Sequence, residues 1–372
     1  MTTQATIADV VCRIARISEK THWTFIEVVC SDGIVGIGEA STNGMETALR
    51  AYAGMLGAHL AGLQALPNAV DHVLRDARGG LPQRAVASAV EQALWDAQGK
   101  RLGLPVTDLL GGATRDSVPL YANINRGTDV RSPGGFATSA GRAVASGFRA
   151  IKLAPFDGVG EGAPTKDAIA FHAGLDCIAA VCDAVGTDID VMVDCHWRLD
   201  EPRAAQLLDF AADRNLYWVE CPIAETPHRL PELRRLKQRA TDLGVRLAGM
   251  EKGVSPADFQ PYIAEQLYDV LMPDVKYDGG LGATRHIAEA ALSAGIFIAP
   301  HNPTGPICYA ASVAVSATLP NLLFLEVQFG ESDLFWDLVG GAYPFVDGSV
   351  AVSTEPGFGV TLKPDVLAAL ER

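Results

Sequence analysis

The period of hydrophobic positions changes twice along the chain. In FIEVVCSDGIVGIGEA (25–40) two β-rich apolar runs flank Ser31, Asp32 and Gly33, which predicts a β-hairpin in a small antiparallel sheet. From about residue 45 the spacing becomes helical. In RAVASAVEQALWDAQGKRLG (84–103), Val86, Val90 and Leu94 recur at four-residue steps, and Gly103 and Pro105 close the segment. From residue 118 onward one unit repeats: a short apolar run, a polar or Gly/Pro-containing break, then an Ala/Leu-rich helical stretch. The runs are SVPLYANIN (117–125), FRAIKLAP (148–155), IDVMVDCH (189–196), LYWVECP (216–222), VRLAGME (245–251), YDVLMPD (268–274), IFIAPH (296–301) and NLLFLEV (321–327), eight in all. Eight such units over roughly 200 to 250 residues predict a (β/α)8 barrel, because each parallel strand needs a helical crossover. A last piece, ending STEPGFGVTLKPDVLAAL (353–370), finds no ninth slot and is expected to return to the N-terminal part.

Composition narrows the function classes. At 372 residues and 48% hydrophobic content the chain can bury a large core. Thirty basic against forty-four acidic residues give a formal charge of −14, with no Lys/Arg block, so a phosphate backbone would be repelled. Nucleic acid is not an expected partner. The N-terminus MTTQATIADV has neither a basic n-region nor an apolar h-region. No apolar run approaches the roughly 20 residues that a membrane helix needs, so a cytoplasmic protein is expected. Seven cysteines without a CxxC pair argue against a disulfide framework and against a thiolate zinc site. No GxGxxG or GxxxxGK[ST] follows a strand, which disfavours a dinucleotide or P-loop site.

The ionisable residues fall at the run ends. Runs three to six end in Asp194, Glu220, Glu251 and Asp274, run seven ends in His301, and run eight carries Glu326. They are 26, 31, 23, 27 and 25 residues apart, yet a barrel gathers its strand C-termini on one face, where active sites are built. One such acid reads as a solvated strand end. Three on consecutive strands would raise one another's pKa unless a cation compensates, and hard oxygen ligands without Cys suit Mg2+. Asp274 and His301 end adjacent strands, so the carboxylate can orient the imidazole and tune it as a base.

Taken together, AVEQALWDAQGKRLGLPVTDLLGG (89–112), the acids on strands three to five, PDVKYDGGLG (273–282), APHNPTGPI (299–307) and EPGFGV (355–360) resemble the enolase superfamily, in particular its mandelate racemase subgroup. The resemblance spans essentially the whole chain. It implies an N-terminal α+β capping domain (1–115), a (β/α)8 barrel (116–340) and a C-terminal segment (341–372) returning to the cap. It further implies Mg2+ on Asp194, Glu220 and Glu251, and abstraction of the proton α to a carboxylate through an enediolate. Asp274 and His301 would form the base dyad, and Glu326 would sit where a carboxylic acid can donate a hydrogen bond to the substrate carboxylate. A homo-oligomer is implied as well.

One departure stands out. The subgroup usually ends strand two in K-x-K, whose second lysine is a base; IKLAPF gives Lys152 and then Ala154. Lys152 is left either to neutralise the substrate carboxylate or to pair with a strand-end acid such as Asp194. In VDCHWRLD, Asp194 is followed by His196 and Arg198, and D-x-H with a following Arg resembles strand three of sugar-acid dehydratases acting on galactonate and mannonate. There the histidine is an acid/base residue, although Trp197 replaces the usual glycine. Two histidines allow one proton to be removed and another delivered to a departing β-hydroxyl, so dehydration of an acid sugar to a 2-keto-3-deoxy acid is the leading expectation. Epimerisation or cycloisomerisation through the same enediolate, and a silent barrel that only binds, are the alternatives. In the cap, the loops holding His22, Trp23 and Thr24 and holding Ser41, Thr42, Asn43 and Gly44 occupy substrate-selecting places. Trp23 and Asn43, with Asn125, Arg126 and Arg198, suit a polyhydroxylated acid.

Overall fold

The computed structural model describes residues 5–76, 79–160, 164–341 and 343–371. The chain opens with an antiparallel sheet of β1 (Ile7–Arg16), β2 (His22–Cys30) and β3 (Val35–Glu39), in that order. β2 and β3 are the hairpin, turned at Gly33 with φ +84°, where a side chain would be strained. Helices α1 (Glu46–Leu60), α2 (Pro67–Arg75) and α3 (Leu81–Leu102) follow. α3 lies so close to β3 that a Cβ on Gly36 or Gly38 would land on the backbone of Ala93 or Ala89. Val10, Ile26 and Val28 of the sheet pack against Leu49, Leu56, Val86, Val90 and Leu94. Each such side chain contributes about 1.5–3 kcal/mol by leaving water. The short helix α4 (Val106–Leu109) leads out of this capping domain.

Eight parallel strands follow: β4 (Ser117–Asn123), β5 (Ala150–Leu153), β6 (Asp190–Asp194), β7 (Trp218–Glu220), β8 (Arg246–Gly249), β9 (Val270–Leu271), β10 (Phe297–Ile298) and β11 (Leu325–Gln328). Each overlaps one of the predicted runs, and all but β11, which ends one residue beyond its run at Gln328, fall inside them. β11 pairs with β4, and the seam between β10 and β11 is closed by an Ile298–Leu322 bridge, with Leu323 N donating to Ile298 O at 2.8 Å. The crossovers are α5 (Pro133–Ala145), α6 (Pro164–Val185), α7 (Glu201–Asp213), α8 (Leu230–Leu243), α9 (Pro256–Ala264), α10 (Leu281–Ser293) and α11 (Pro306–Ser316). The fold is therefore a (β/α)8 barrel under an N-terminal α+β capping domain.

The barrel interior explains why the polar residues sit where they do. Tyr121, Ala150, Met192, Trp218, Ala248, Val270, Met272 and Ala299 form a dry plug. Side chains two apart on a strand share a face, so the residues following Tyr121, Ala150, Met192 and Trp218 by two positions also point inward. These are Asn123, Lys152, Asp194 and Glu220. An apolar layer thus carries a polar one at the strand C-termini.

One expectation is corrected. α6 is 22 residues long and, by length and composition alone, apolar enough to cross a membrane, contrary to the reading that no run approaches that length. Asp176 interrupts it, and Phe171, Leu175, Ile178 and Val181 are buried in the barrel's outer core. The C-terminal segment reaches the cap by way of the barrel. After α12 (Leu334–Asp337) and β12 (Val339–Gly340), β14 (Ser349–Ala351) joins the barrel sheet antiparallel to β4, and β13 (Phe345–Val346) pairs antiparallel with β14. Beyond β14 the segment returns to the cap, through Phe358 N donating to Asp96 at 2.9 Å and through Arg13 paired with Glu371 at 3.3 Å. β15 (Thr361–Leu362) pairs with β12, and α13 (Pro364–Leu370) ends the described chain beside β1.

Candidate active site

Asp194, Glu220 and Glu251 converge as expected: one carboxylate oxygen from each lies within 4.8 Å of the others, and all three side chains are buried. Asp194 and Glu220 are register partners on β6 and β7, while Glu251 sits just beyond β8. The backbone leaves each of these strands through residues in the left-handed region, namely His196 (φ 46°), Trp197 (φ 60°), Cys221 (φ 44°) and Met250 (φ 73°). Each costs about 1–2 kcal/mol in a non-glycine residue, and such strain gathers at functional sites.

The charges of this layer are not balanced by the protein alone. Burial raises Glu220 to about 7, with Asp194 and Glu326 pushing the same way against Lys152. Burial followed by the Asp194 and Glu220 charges raises Glu251 far above the usual carboxylate range. Asp194 feels burial too, but His196 and Lys152 outweigh it and hold it at about 2. Glu251 Oε2 is buried and makes no hydrogen bond of good geometry, although His301 Nε2 lies 3.3 Å from it. An orphaned oxygen within a set of hard, mutually repelling donors is what a divalent cation would satisfy, so the residues present fit a metal such as Mg2+.

Two imidazoles bracket the triad. His301 Nδ1 lies 2.9 Å from Asp274 Oδ2, and its Nε2 lies 3.3 Å from Glu251 Oε2. His196 Nε2 lies 2.8 Å from Asp194 Oδ2, while its backbone N–H donates to Oδ1 of the same carboxylate at 2.8 Å. β6 stops at Asp194, so a turn rather than continued strand alternation brings the His196 ring to the mouth. Burial would lower this imidazole, but the Asp194 carboxylate outweighs it and raises it. Trp197 follows in the left-handed conformation, which explains the glycine usual at that position. Here the indole is anchored by Nε1 donating to Glu225 at 2.9 Å and by Lys252 Nζ 4.0 Å from its ring centre.

Lys152, 0% exposed, pairs with Glu220 at 2.6 Å and approaches Glu326 at 3.5 Å; Asp194 is not its partner. Ala154 brings no side-chain base, and its backbone N–H and C=O bond to Asn125 Oδ1 (2.6 Å) and Arg131 (2.7 Å). Glu326 accepts from Asn123 Nδ2 at 2.5 Å and from Asn302 N at 2.9 Å. Burial would raise its pKa, but Lys152 and His301 hold it at about 2. In this arrangement both Glu326 oxygens accept hydrogen bonds from the protein.

The expected substrate contacts are not gathered in the same way. Trp23 lies within β2, not in a loop, and is 1% exposed, stacked edge-on against Phe335 at 5.8 Å. Asn43 accepts the His22 N–H at 3.0 Å and so pins the start of β2. Arg126 grips Glu331 through 2.9 and 3.0 Å bonds, and Arg198 Nη1 donates to Val159 O at 3.1 Å. These donors tie loops together. Residues that the sequence reading passed over include Asn123 and Asn302 on Glu326, and Lys276, buried 3.3 Å from Asp274. Strand periodicity carries the signal for Asn123, two positions after the inward Tyr121.

Comparison with known proteins agrees with this architecture. Residues 3–111 match the mandelate racemase / muconate lactonizing enzyme N-terminal domain, and residues 135–366 match the enolase C-terminal domain-like family. The chain belongs to the mandelate racemase/muconate lactonizing enzyme family of the enolase superfamily. Among its relatives, D-galactonate dehydratase of Xanthomonas oryzae pv. oryzae (strain PXO99A) is 30% identical over 368 residues, covering 96% of this chain and 93% of that protein. D-gluconate dehydratase of Thermoproteus tenax is 31% identical over 285 residues, covering 75% of this chain but 55% of that protein. A mandelate racemase/muconate lactonizing enzyme from Jannaschia sp. CCS1 superposes with a TM-score of 0.88 at 24% identity, covering 99% of this chain and 98% of that one. An enolase superfamily member from Salmonella Typhimurium gives 0.88 at 22% identity, covering 98% of each chain. These solved structures speak for the fold, and the dehydratase relatives for an enzyme.

Proposed function

We propose that the protein is a Mg2+-dependent hydro-lyase that dehydrates an acid sugar, an aldonate or aldarate, to a 2-keto-3-deoxy acid. The observation that carries this reading is the pair of imidazoles on the outer members of the acid triad, His196 on Asp194 and His301 on Glu251. Dehydration needs two separated proton transfers. The Asp274–His301 pair removes the proton α to the carboxylate, and the C–H electrons move into an enediolate. His196 then delivers a proton to the β-hydroxyl as its C–O bond breaks, so water leaves and the remaining enol tautomerises to the ketone. That division holds for a substrate whose α-proton faces His301; the opposite configuration exchanges the two roles. A cation on Asp194, Glu220 and Glu251 would supply Lewis-acid stabilisation of the charge developing on the substrate carboxylate. Lys152, buried between Glu220 and Glu326, adds a fixed positive charge beside it. The dehydratase relatives at about 30% identity support the substrate class.

The test is a screen of the purified protein with Mg2+ against aldonic and aldaric acids, detecting 2-keto-3-deoxy acids as semicarbazones. A hit names the substrate and establishes water loss. Deuterium entering the α-position from heavy water with no semicarbazone formed would replace dehydration by epimerisation.

A further inference from the structure

The barrel's helices are not all capped in the same way. α5 and α7 cap themselves: Ser132 accepts the Gly135 N–H at 3.3 Å and Asp200 accepts the Arg203 N–H at 3.0 Å. α10 and α11 have glycine at the N-cap, Gly280 and Gly305, so neither has a cap of its own. These are the helices that follow β9 and β10, with Asp274 and His301 lying just beyond the ends of those strands. Both are capped by glutamates from the other domain. Glu39, the last residue of β3, accepts from Gly305 N (2.6 Å), Ile307 N (3.1 Å) and Cys308 N (3.0 Å) at the start of α11, and Ser41 Oγ donates to it at 2.5 Å. Glu91 of α3 accepts from Leu281 N (2.9 Å), Gly282 N (3.0 Å) and Trp95 Nε1 (2.7 Å) at the start of α10. Each carboxylate thereby satisfies amides that a helix start leaves without intrahelical partners, at the positive end of the helix dipole.

The glycines make room for these visitors. A Cβ on Gly305 would sit 2.8 Å from both Glu39 Oε1 and the Trp23 ring, and one on Gly280 would fall on the Glu91 carboxylate. The links from cap to dyad are short and stiff. Asp274 O accepts from Tyr277 N (2.7 Å) and Asp278 N (2.9 Å), and Asp274 Oδ1 accepts from Lys276 N (2.8 Å). On the other strand, Asn302 N, next to His301, is fixed on Glu326 at 2.9 Å.

We propose that Glu39 and Glu91 are positioning residues through which the seating of the capping domain sets the geometry of the Asp274–His301 pair. This rests on the dyad reading above and adds the part of the molecule that holds the dyad in register. A small displacement of reacting groups costs roughly tenfold to a hundredfold in rate, so the isosteric variants Glu39→Gln and Glu91→Gln should lose that much kcat, with KM changing less than about twofold.

The decisive readout does not depend on the substrate. In the full-length protein, the His301 Nδ1 proton hydrogen-bonded to Asp274 should give a far-downfield NMR signal, assigned by 15N-histidine labelling and by its loss in Asp274→Asn. Glu39→Gln and Glu91→Gln should shift or broaden it. Asp96→Asn, which loosens another cap contact, the one to Phe358 and Ile37, should lower stability and leave the signal in place. If either glutamine variant proves insoluble, Ser41→Ala and Trp95→Phe remove one donor each from Glu39 and Glu91 and should move the signal the same way by less. An unmoved signal in the folded variants, or an equal shift in Asp96→Asn, would overturn the proposal. Absence of the signal from the wild type would overturn the dyad and the proposal with it. Failure of the wild type to dehydrate any acid sugar, with the signal behaving as described, would reject the substrate reading and keep the positioning role.

Discussion

Glu91→Gln also offers a quantitative test through pH. Glu91 is 8% exposed, and burial raises its carboxyl from 4.5 to about 7 against the opposing Gly282, Leu281 and Trp95 hydrogen bonds. Because the folded-state pKa lies above the unfolded one, the folded protein binds the proton more tightly. The Glu91 contribution is then fully present below about pH 4.5 and is lost as pH rises through about 7. The gap between 4.5 and about 7, at about 1.4 kcal/mol per unit, gives about 3 kcal/mol as the largest change. Glutamine cannot ionise. The stability of Glu91→Gln relative to the wild type should therefore rise by up to about 3 kcal/mol between about pH 5 and about pH 8, whatever the fixed effect of replacing an acceptor oxygen by NH2. Equilibrium urea unfolding of both proteins across that range measures the difference directly. Parallel stability–pH curves would show that Glu91 is ionised at its ordinary pKa in the fold, and that its burial is less complete than the packing around it indicates.

Three further outcomes are expected. Glu220→Gln removes a central triad ligand and should weaken Mg2+ binding, measured by calorimetry, by more than about a hundredfold, beyond the loss typical of an outer partner, and should abolish turnover. His196→Asn should lower kcat by roughly a hundredfold to ten-thousandfold with an unchanged circular dichroism spectrum; full activity would remove His196 from proton transfer. Trp197→Gly and Trp197→Ala both lose the Glu225 bond and the Lys252 contact, but only glycine relieves the positive φ, so unfolding free energies from urea titration should rank glycine above alanine by about 1 kcal/mol.

The barrel is legible because its strands are covered on both faces and read as near-continuous apolar runs, and because the chemistry-bearing residues come at the run ends. The observed strands are shorter than the runs, down to Val270–Leu271 and Phe297–Ile298, since only part of each run forms ladder bonds. β1 is not announced by pattern: Asp9, Arg13 and Arg16 interrupt its apolar positions, and it lies at the edge of its sheet. Polar loop residues are harder to read for a different reason. The sequence supplies the donor and not its acceptor, so it does not show that Arg126 meets Glu331 or that Arg198 meets the Val159 carbonyl. Glu39 and Glu91 stayed hidden within IGEA and AVEQALW, where a glutamate passes for a solvated one. The readable trace was the pair of glycines at 280 and 305, opening helices that carry no cap.

The glutamates reaching from cap to barrel also bear on how the chain assembles during synthesis. Glu39, Glu91 and Asp96 are made early, yet their amide partners lie at 305–308, 281–282 and 358. A nascent chain that ends before Gly305 contains the entire cap sequence and none of the amides that Glu39 requires. Until those amides emerge, Glu39 keeps its water, because burying a charge without its partners is too unfavourable. The side of the cap that faces the barrel therefore stays open while most βα units are being added. The cap is made before the barrel, yet its packing against α11 is completed only after the barrel strand before that helix is made.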